Sequence, residues 1–104
     1  MSFYPVCIEL EGKTVLVVGG GRVAQRKVET LMKFGASIQI DSRELTNKLK
    51  ELVEVKEIHH IGEEFRDEHM DGAFLMIAAT DDERLNRQIS KRAQKRHLLI
   101  NAVV

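Results

Sequence analysis

The sequence predicts an α/β fold, a doubly wound parallel sheet of five strands in the order 3-2-1-4-5. Short apolar runs rich in β-branched residues alternate along the chain with segments in which apolar residues recur at helical spacing. A glycine turn separates the first apolar run from the first helical segment, and the only proline, Pro5, stands near the start. Strands that alternate with helices need crossover connections, which favour a parallel sheet covered by helices.

Two strand–helix units are predicted in the first half of the chain. Thr14–Val18 is an apolar run typical of a strand that is buried on both faces. Helical periodicity predicts a helix over residues 22–34, and Gly35 stands where a helix often ends. Ser37–Ile40 is predicted as the second strand. The second amphipathic helix is indicated by Leu45, Leu49, Leu52 and Val53.

The second half is predicted to add three strands and one helix. A weak third strand covers roughly residues 56–61, and the polar segment 62–71 is predicted as a loop with one helical turn. Ala73–Ala79 is the most continuous apolar run and is predicted as a central strand. Residues 80–83 begin with threonine and end with glutamate, which is the spacing of a capping box, and they open the last helix. Leu98–Val104 is predicted as the fifth strand.

Composition and charge exclude several classes of function. The chain has 104 residues, 16 basic and 16 acidic side chains and one cysteine, Cys7. This length has room for one domain, which we assign to residues 1–104. Zero net charge argues against nucleic acid as the main partner, because that affinity comes largely from cationic side chains. No apolar run reaches about 18 residues, and no signal-peptide pattern is present. A lone cysteine suits a reducing compartment. We therefore expect a cytoplasmic protein that binds no membrane.

The glycine turn after the first strand predicts a dinucleotide site. Residues 19–24 fit the pattern G-x-G-x-x-A, in which the first glycine permits a tight turn and the second lets the backbone approach a pyrophosphate. Backbone N–H groups at the start of the helix then face the phosphates. A glycine turn with a purely structural role is the alternative. The residues predicted to bind the cofactor here are Gly19, Gly20, Gly21, Arg22 and Val23.

Asp41 stands at the predicted end of the second strand, where an acidic side chain accepts hydrogen bonds from the adenosine ribose. A carboxylate at this place repels a 2′-phosphate, so NAD is predicted in preference to NADP. Arg43 keeps NADP open, because a nearby guanidinium can pair with that phosphate. In the alternative interpretation, Asp41 only caps the second helix, with Glu44 completing a capping box.

The ends of the first and fourth strands should line the ligand crevice of such a sheet. This places Thr80, Asp81 and Asn101 near the cofactor. For Thr80 and Asp81, capping of the last helix is an equally good interpretation. Asn101 is a polar residue in a strand, where its side chain needs a partner or a position facing the crevice.

Two further features indicate structure rather than function. The basic run from Arg84 to Arg96 follows acidic residues at the start of the same helix, which complements the helix dipole and does not require nucleic acid. His59 and His60 are neighbours in an extended segment, so their side chains point to opposite faces. We therefore predict no metal site.

Four blocks of sequence carry a resemblance to a known family: residues 4–13, 15–36, 72–86 and 99–101. They resemble the precorrin-2 dehydrogenase/sirohydrochlorin ferrochelatase family, the N-terminal NAD-binding domain of siroheme synthase. The resemblance implies a Rossmann-like domain that takes hydride from precorrin-2, a tetrapyrrole, onto NAD and gives sirohydrochlorin. Some relatives also insert ferrous iron, so the resemblance implies ferrochelatase activity in the complete protein. Relatives also form homodimers, so it implies a homodimer.

The sequence departs from this family at several positions. Relatives carry an aspartate shortly after the fifth strand, where Val104 stands here, and often an apolar residue in place of Asp41. Relatives also continue into a dimerisation region and a helical segment. We therefore expect an NAD-binding domain that is catalytically incomplete, with its catalytic residue unknown. The alternative is a non-enzymatic regulatory module that senses NAD(H).

Overall fold

The computed structural model describes residue 2 and residues 4–102, and their strands form one parallel sheet. The strands are β1 (Thr14–Val18), β2 (Ser37–Asp41), β3 (His59–Gly62), β4 (Leu75–Ala78) and β5 (Leu99–Ala102). The sheet order β3-β2-β1-β4-β5 confirms the predicted order, and all four neighbouring pairs are parallel. Residues 103 and 104, the predicted end of the fifth strand, lie outside the described residues.

Three α-helices and one short 3₁₀ helix connect the strands. The helices are α1 (Arg22–Met32), α2 (Asn47–Glu54) and α3 (Glu83–Lys95), and the 3₁₀ helix spans Asp67–Met70 inside the predicted polar loop. Within residue 2 and residues 4–102, no helix has both the length and the apolar character needed to cross a membrane.

The central strand β1 supplies side chains to two hydrophobic cores. Val15 and Val17 pack on one face with buried residues of α1 and α2, such as Val28 and Leu49. Leu16 and Val18 point to the other face, toward the core that contains Ile89 of α3. This alternation follows from the period of two along a strand, and it explains why the sequence of β1 is apolar at every position except its first.

The starts of α2 and α3 correct two predicted caps. Thr46 caps α2, since its hydroxyl accepts a hydrogen bond from the Leu49 N–H at 3.2 Å. Asp41 does not cap this helix, because it is the last residue of β2. In α3, Asp82 is the cap and accepts hydrogen bonds from two backbone N–H groups at 3.0 and 3.2 Å. The predicted capping box that begins at Thr80 is therefore wrong.

The third strand begins later than predicted, at His59. The N–H groups of Glu57 and Ile58 donate back to the carbonyl of Leu52 at 2.9 and 3.3 Å, so they belong to the turn that follows α2. Lys56 adopts a positive φ of 64° in this turn. The chain can therefore join the sheet only after residue 58.

Candidate functional site

A groove of about 930 Å³ lies at the carboxyl ends of β1, β2 and β4. One wall is formed by the glycine turn with the start of α1 and by the segment 41–46, which follows β2 into α2. Residues 63–65 and three side chains of α3, Leu85, Gln88 and Arg92, also line the groove. Residues 79–81 close the groove beside β4. This is the point where the connections from neighbouring strands run to opposite faces, which is where open α/β sheets bind ligands.

Gly19 makes the turn possible because a side chain has no room there. Its φ is 128°, and an added Cβ would lie 2.3 Å from the backbone oxygen of Ala79. The Gly19 N–H donates to the carbonyl of Asp41 at 3.0 Å. The turn is thus held between the ends of β2 and β4, where it lines the groove.

Gly21 faces open space. An added Cβ would meet no atom within 4 Å, and Gly21 is the N-terminal cap of α1. The first N–H groups of a helix lack partners within the helix, and glycine supplies no side chain that would satisfy them. The backbone beside Arg22 and Val23 therefore provides donors where a pyrophosphate can approach, as in the predicted motif.

Gly20 is required for a different reason, which the motif does not contain. An added Cβ at Gly20 would lie 2.0 Å from the carbonyl oxygen of Glu44 and 2.7 Å from the hydroxyl of Ser42. The carbonyl of Gly20 also accepts a hydrogen bond from the Thr46 N–H at 2.9 Å. Gly20 thus lets the segment after β2 pack directly on the glycine turn. A role for Gly20 in cofactor binding stays a prediction.

Asp41 is a buried residue, 1% exposed, on the wall of the groove. Its Oδ2 lies 2.6 Å from Nδ1 of His69, in the 3₁₀ helix. Its Oδ1 has no hydrogen-bond partner among the described residues. Gly62 makes room for this contact, because an added Cβ would lie 2.8 Å from Cε1 of the His69 ring. Sequence reasoning missed His69, since no spacing links a histidine in a polar loop to a strand end 28 residues earlier.

The short contact between Asp41 and His69 fixes the proton on Nδ1. The Arg66 N–H also points at Nδ1, at 3.3 Å, but a nitrogen that donates its proton cannot accept this bond as well. The contact at 2.6 Å with a carboxylate is the stronger of the two, so Nδ1 donates to Asp41. One oxygen of Asp41 is then satisfied within the chain, and the other is buried without a donor among the described residues. The ribose role of Asp41 stays a prediction.

Arg43 pairs with Glu64 at the rim of the groove, through Nη2 and Oε1. Both side chains line the groove and are mostly exposed, 66% and 71%. The same end of the groove carries the carboxylates of Glu44 and Glu63. The guanidinium that sequence analysis associated with a 2′-phosphate is therefore already engaged by an acidic residue.

Thr80 and Asp81 line the groove beside β4, and their role in cofactor binding stays a prediction. Their loop is held by Asn86, a buried residue of α3 that is 3% exposed. Asn86 Oδ1 accepts from the Thr80 N–H at 3.0 Å and from the Thr80 hydroxyl at 2.6 Å, and Asn86 Nδ2 donates to the Thr80 carbonyl at 3.0 Å. Asn86 was not among the predicted site residues, although a buried asparagine in an amphipathic helix is itself a signal of a local structural role.

Asn101 does not line the groove. It lies in the edge strand β5, pairs in register with Ile77 of β4, and is exposed. Residues that pair in register share a sheet face, so Asn101 lies on the face of Ile77, in the strand at the edge of the sheet. The structure therefore separates Asn101 from the other predicted residues.

The residues of the groove fit a dinucleotide. The open backbone at Gly21 suits a pyrophosphate, and the unpaired oxygen of buried Asp41 suits a donor hydroxyl. By contrast, no group of three or more histidine, cysteine or acidic side chains that could hold a metal ion occurs in residue 2 and residues 4–102. His60 instead donates from Nε2 to the Ser42 carbonyl at 2.7 Å.

Known proteins resemble this chain in sequence and in structure. The siroheme synthase of Photorhabdus laumondii is 44% identical over 103 residues, which are 99% of this chain and 22% of that protein. The siroheme synthase of Blochmanniella floridana is 47% identical over the same shares. A solved structure of SirC, precorrin-2 dehydrogenase, superposes with a TM-score of 0.79 and 26% identity, over 95% of this chain and 48% of that chain.

The chain spans about a fifth of the length of the curated relatives that it matches, 22% of each, and about half of the solved structure, 48%. The predicted resemblance to siroheme synthases is confirmed by these similarities. A family model described as "Putative NAD(P)-binding" matches residues 6–104. Because that match covers nearly the whole sequence, the chain belongs to this family of NAD(P)-binding proteins.

Proposed function

We propose that this chain is the dinucleotide-binding part of a protein that oxidises precorrin-2 to sirohydrochlorin with NAD, a step of siroheme biosynthesis. The observation that carries the proposal is the groove at the carboxyl ends of β1, β2 and β4, which the open backbone of Gly21 lines. The similarity to siroheme synthases over 99% of the chain supports the same activity.

The residues of the chain bind and orient the nucleotide in this proposal. The N–H groups at the start of α1, at Arg22 and Val23, donate to the pyrophosphate, and the positive end of the helix dipole stabilises its charge. Oδ1 of Asp41 accepts from a ribose hydroxyl, while His69 holds Oδ2. Bound NAD supplies the hydride acceptor, which is chemistry that no side chain provides.

The loop of Thr80 and Asp81 follows β4, on the other side of β1 from Asp41, and in this proposal it borders the nicotinamide half. Asn86 fixes the backbone of this loop, so the loop presents one surface to the reacting half of the nucleotide. Fixed positioning of this kind lowers the entropy that a reaction must lose. We assign these residues to binding and orientation, and we assign no catalytic residue among them.

NAD in preference to NADP follows from charge in this proposal. The ribose end of the groove carries several carboxylates, and Arg43 is engaged by Glu64. A 2′-phosphate would add about two negative charges to that end, whereas a hydroxyl adds none and can donate to Asp41.

Calorimetric titration with NAD, followed by titration with sirohydrochlorin, tests the proposal. A dehydrogenase part binds NAD. Because the chain is expected to be catalytically incomplete, it should produce NADH slowly or not at all when it is mixed with precorrin-2 and NAD. Binding of NAD without any tetrapyrrole binding would favour the regulatory module instead. Failure to bind NAD would contradict the proposal outright.

A further inference from the structure

We propose that Glu64 is a specificity-determining residue of the nucleotide groove. By pairing with Arg43, Glu64 engages the guanidinium that would otherwise bind a 2′-phosphate, and it thereby favours NAD over NADP. This inference rests on the proposed function, because it concerns how the same groove selects its nucleotide.

The register of the sheet imposes the pairing. Strands β2 and β3 are parallel, and Asp41 lies opposite Gly62 at their carboxyl ends. Arg43 and Glu64 each follow these partners by two residues, so the chain leaves both strands with the two side chains next to each other. The contact is therefore a consequence of strand pairing and not of a chance surface approach.

Hydrogen bonds hold the backbone on both sides of this pair. The Ser42 N–H donates to the Gly62 carbonyl at 3.1 Å, and His60 Nε2 donates to the Ser42 carbonyl at 2.7 Å. The contact of Asp41 with His69 ties the end of β2 to the 3₁₀ helix that follows the Glu64 segment. The two backbones are thus fixed, while the Arg43 and Glu64 side chains remain exposed and able to exchange partners.

An exposed ion pair is a weak interaction, so Arg43 can be released by a modest change. A free guanidinium can bind a phosphate through two parallel charge-assisted hydrogen bonds. With Glu64 present, a 2′-phosphate must break the existing pair and then lie beside the freed carboxylate. Without the Glu64 charge, both penalties are removed and Arg43 becomes a phosphate ligand two residues after Asp41.

The test compares dissociation constants for NAD and NADP by calorimetry in the wild-type chain and in Glu64→Gln. We expect the ratio of the two constants to move toward NADP by about fivefold to tenfold, with less than about a twofold change for NAD. Glu64→Asp keeps the charge and is expected to hold the ratio closer to that of the wild type. A double variant, Arg43→Gln with Glu64→Gln, should lose the gain for NADP.

Glu68→Gln is the matched control. Glu68 is also exposed and pairs with an arginine, Arg66, at 3.4 Å, but it does not line the groove. This variant removes the same charge from the same segment and should leave the ratio unchanged. The inference is overturned, while the proposed function stands, if Glu64→Gln binds NAD normally and the ratio of the NAD and NADP dissociation constants stays unchanged. It is also overturned if the gain in NADP affinity survives in the double variant that lacks Arg43. If the wild-type chain binds neither nucleotide, the proposed function itself fails and the inference fails with it.

Discussion

Oδ2 of Asp41 and Nδ1 of His69 lie 2.6 Å apart and join the end of β2 to the 3₁₀ helix, 28 residues later. The Asp41 side chain is fully buried and that of His69 is 16% exposed. Because residues 63–65 lie between β3 and this helix, the pair also sets the position of one wall of the groove. The carboxylate therefore links the stability of the fold to the shape of the candidate site.

His69→Leu should destabilise the protein. The variant removes the donor and leaves a buried carboxylate without a partner, which costs about 2–4 kcal/mol of unfolding free energy. Urea denaturation followed by circular dichroism measures this cost. His59→Leu, at an exposed position in β3, should stay within about 0.5 kcal/mol of the wild type.

A double variant checks the cause. Asp41→Leu combined with His69→Leu should be more stable than His69→Leu alone, because no uncompensated carboxylate remains. Equal or lower stability of the double variant would show that lost packing, and not the unpaired carboxylate, explains the cost.

Gly20→Ala should lower stability without acting through the ligand. The new methyl group would lie 2.0 Å from the carbonyl oxygen of Glu44, so the segment after β2 must move away from the glycine turn. Overpacking of this kind costs about 1–3 kcal/mol. Thermal unfolding in the absence of nucleotide measures the loss, and an unchanged melting temperature would refute the packing role of Gly20.

Gly21→Ala should have the opposite profile. The position has φ −89° and ψ −161°, which alanine adopts readily, and no atom lies within 4 Å of the added methyl group. Stability should stay within about 0.5 kcal/mol of the wild type. The methyl group enters the space where the backbone approaches the pyrophosphate, so NAD affinity should fall by about tenfold or more in calorimetric titration. Wild-type affinity in this variant would place the pyrophosphate elsewhere.

Asn86→Ala should weaken both the loop after β4 and nucleotide binding. The variant leaves the Thr80 N–H and carbonyl without the side chain that binds them, at a cost of about 1–3 kcal/mol. Asn101→Ala removes an exposed amide outside the groove and should leave stability and NAD affinity nearly unchanged. A larger effect on NAD affinity from Asn101 than from Asn86 would contradict this assignment.

Sequence reasoning predicted the fold well because hydrophobic periodicity reports burial directly. The apolar run of β1 and the glycine turn after it were enough to place the groove at the correct end of the sheet. The helix caps were harder, because Thr80 and Asp82 are both good capping residues and the end of β4 decides between them. The Arg43–Glu64 contact was not predictable, since it depends on the register between β2 and β3, and the Asp41–His69 contact depends on where the 3₁₀ helix packs against the end of β2. No local pattern contains either relationship.

Amide chemical shifts of the isotope-labelled chain during NAD titration test the central claim most directly. We predict saturable shifts that are largest for Gly19, Gly21, Arg22, Val23 and Thr80, with little change at Asn101. Shifts at the ribose end, near Asp41, should accompany them. The absence of saturable shifts, or shifts confined to surfaces away from the groove, would contradict a nucleotide site at the carboxyl ends of β1, β2 and β4.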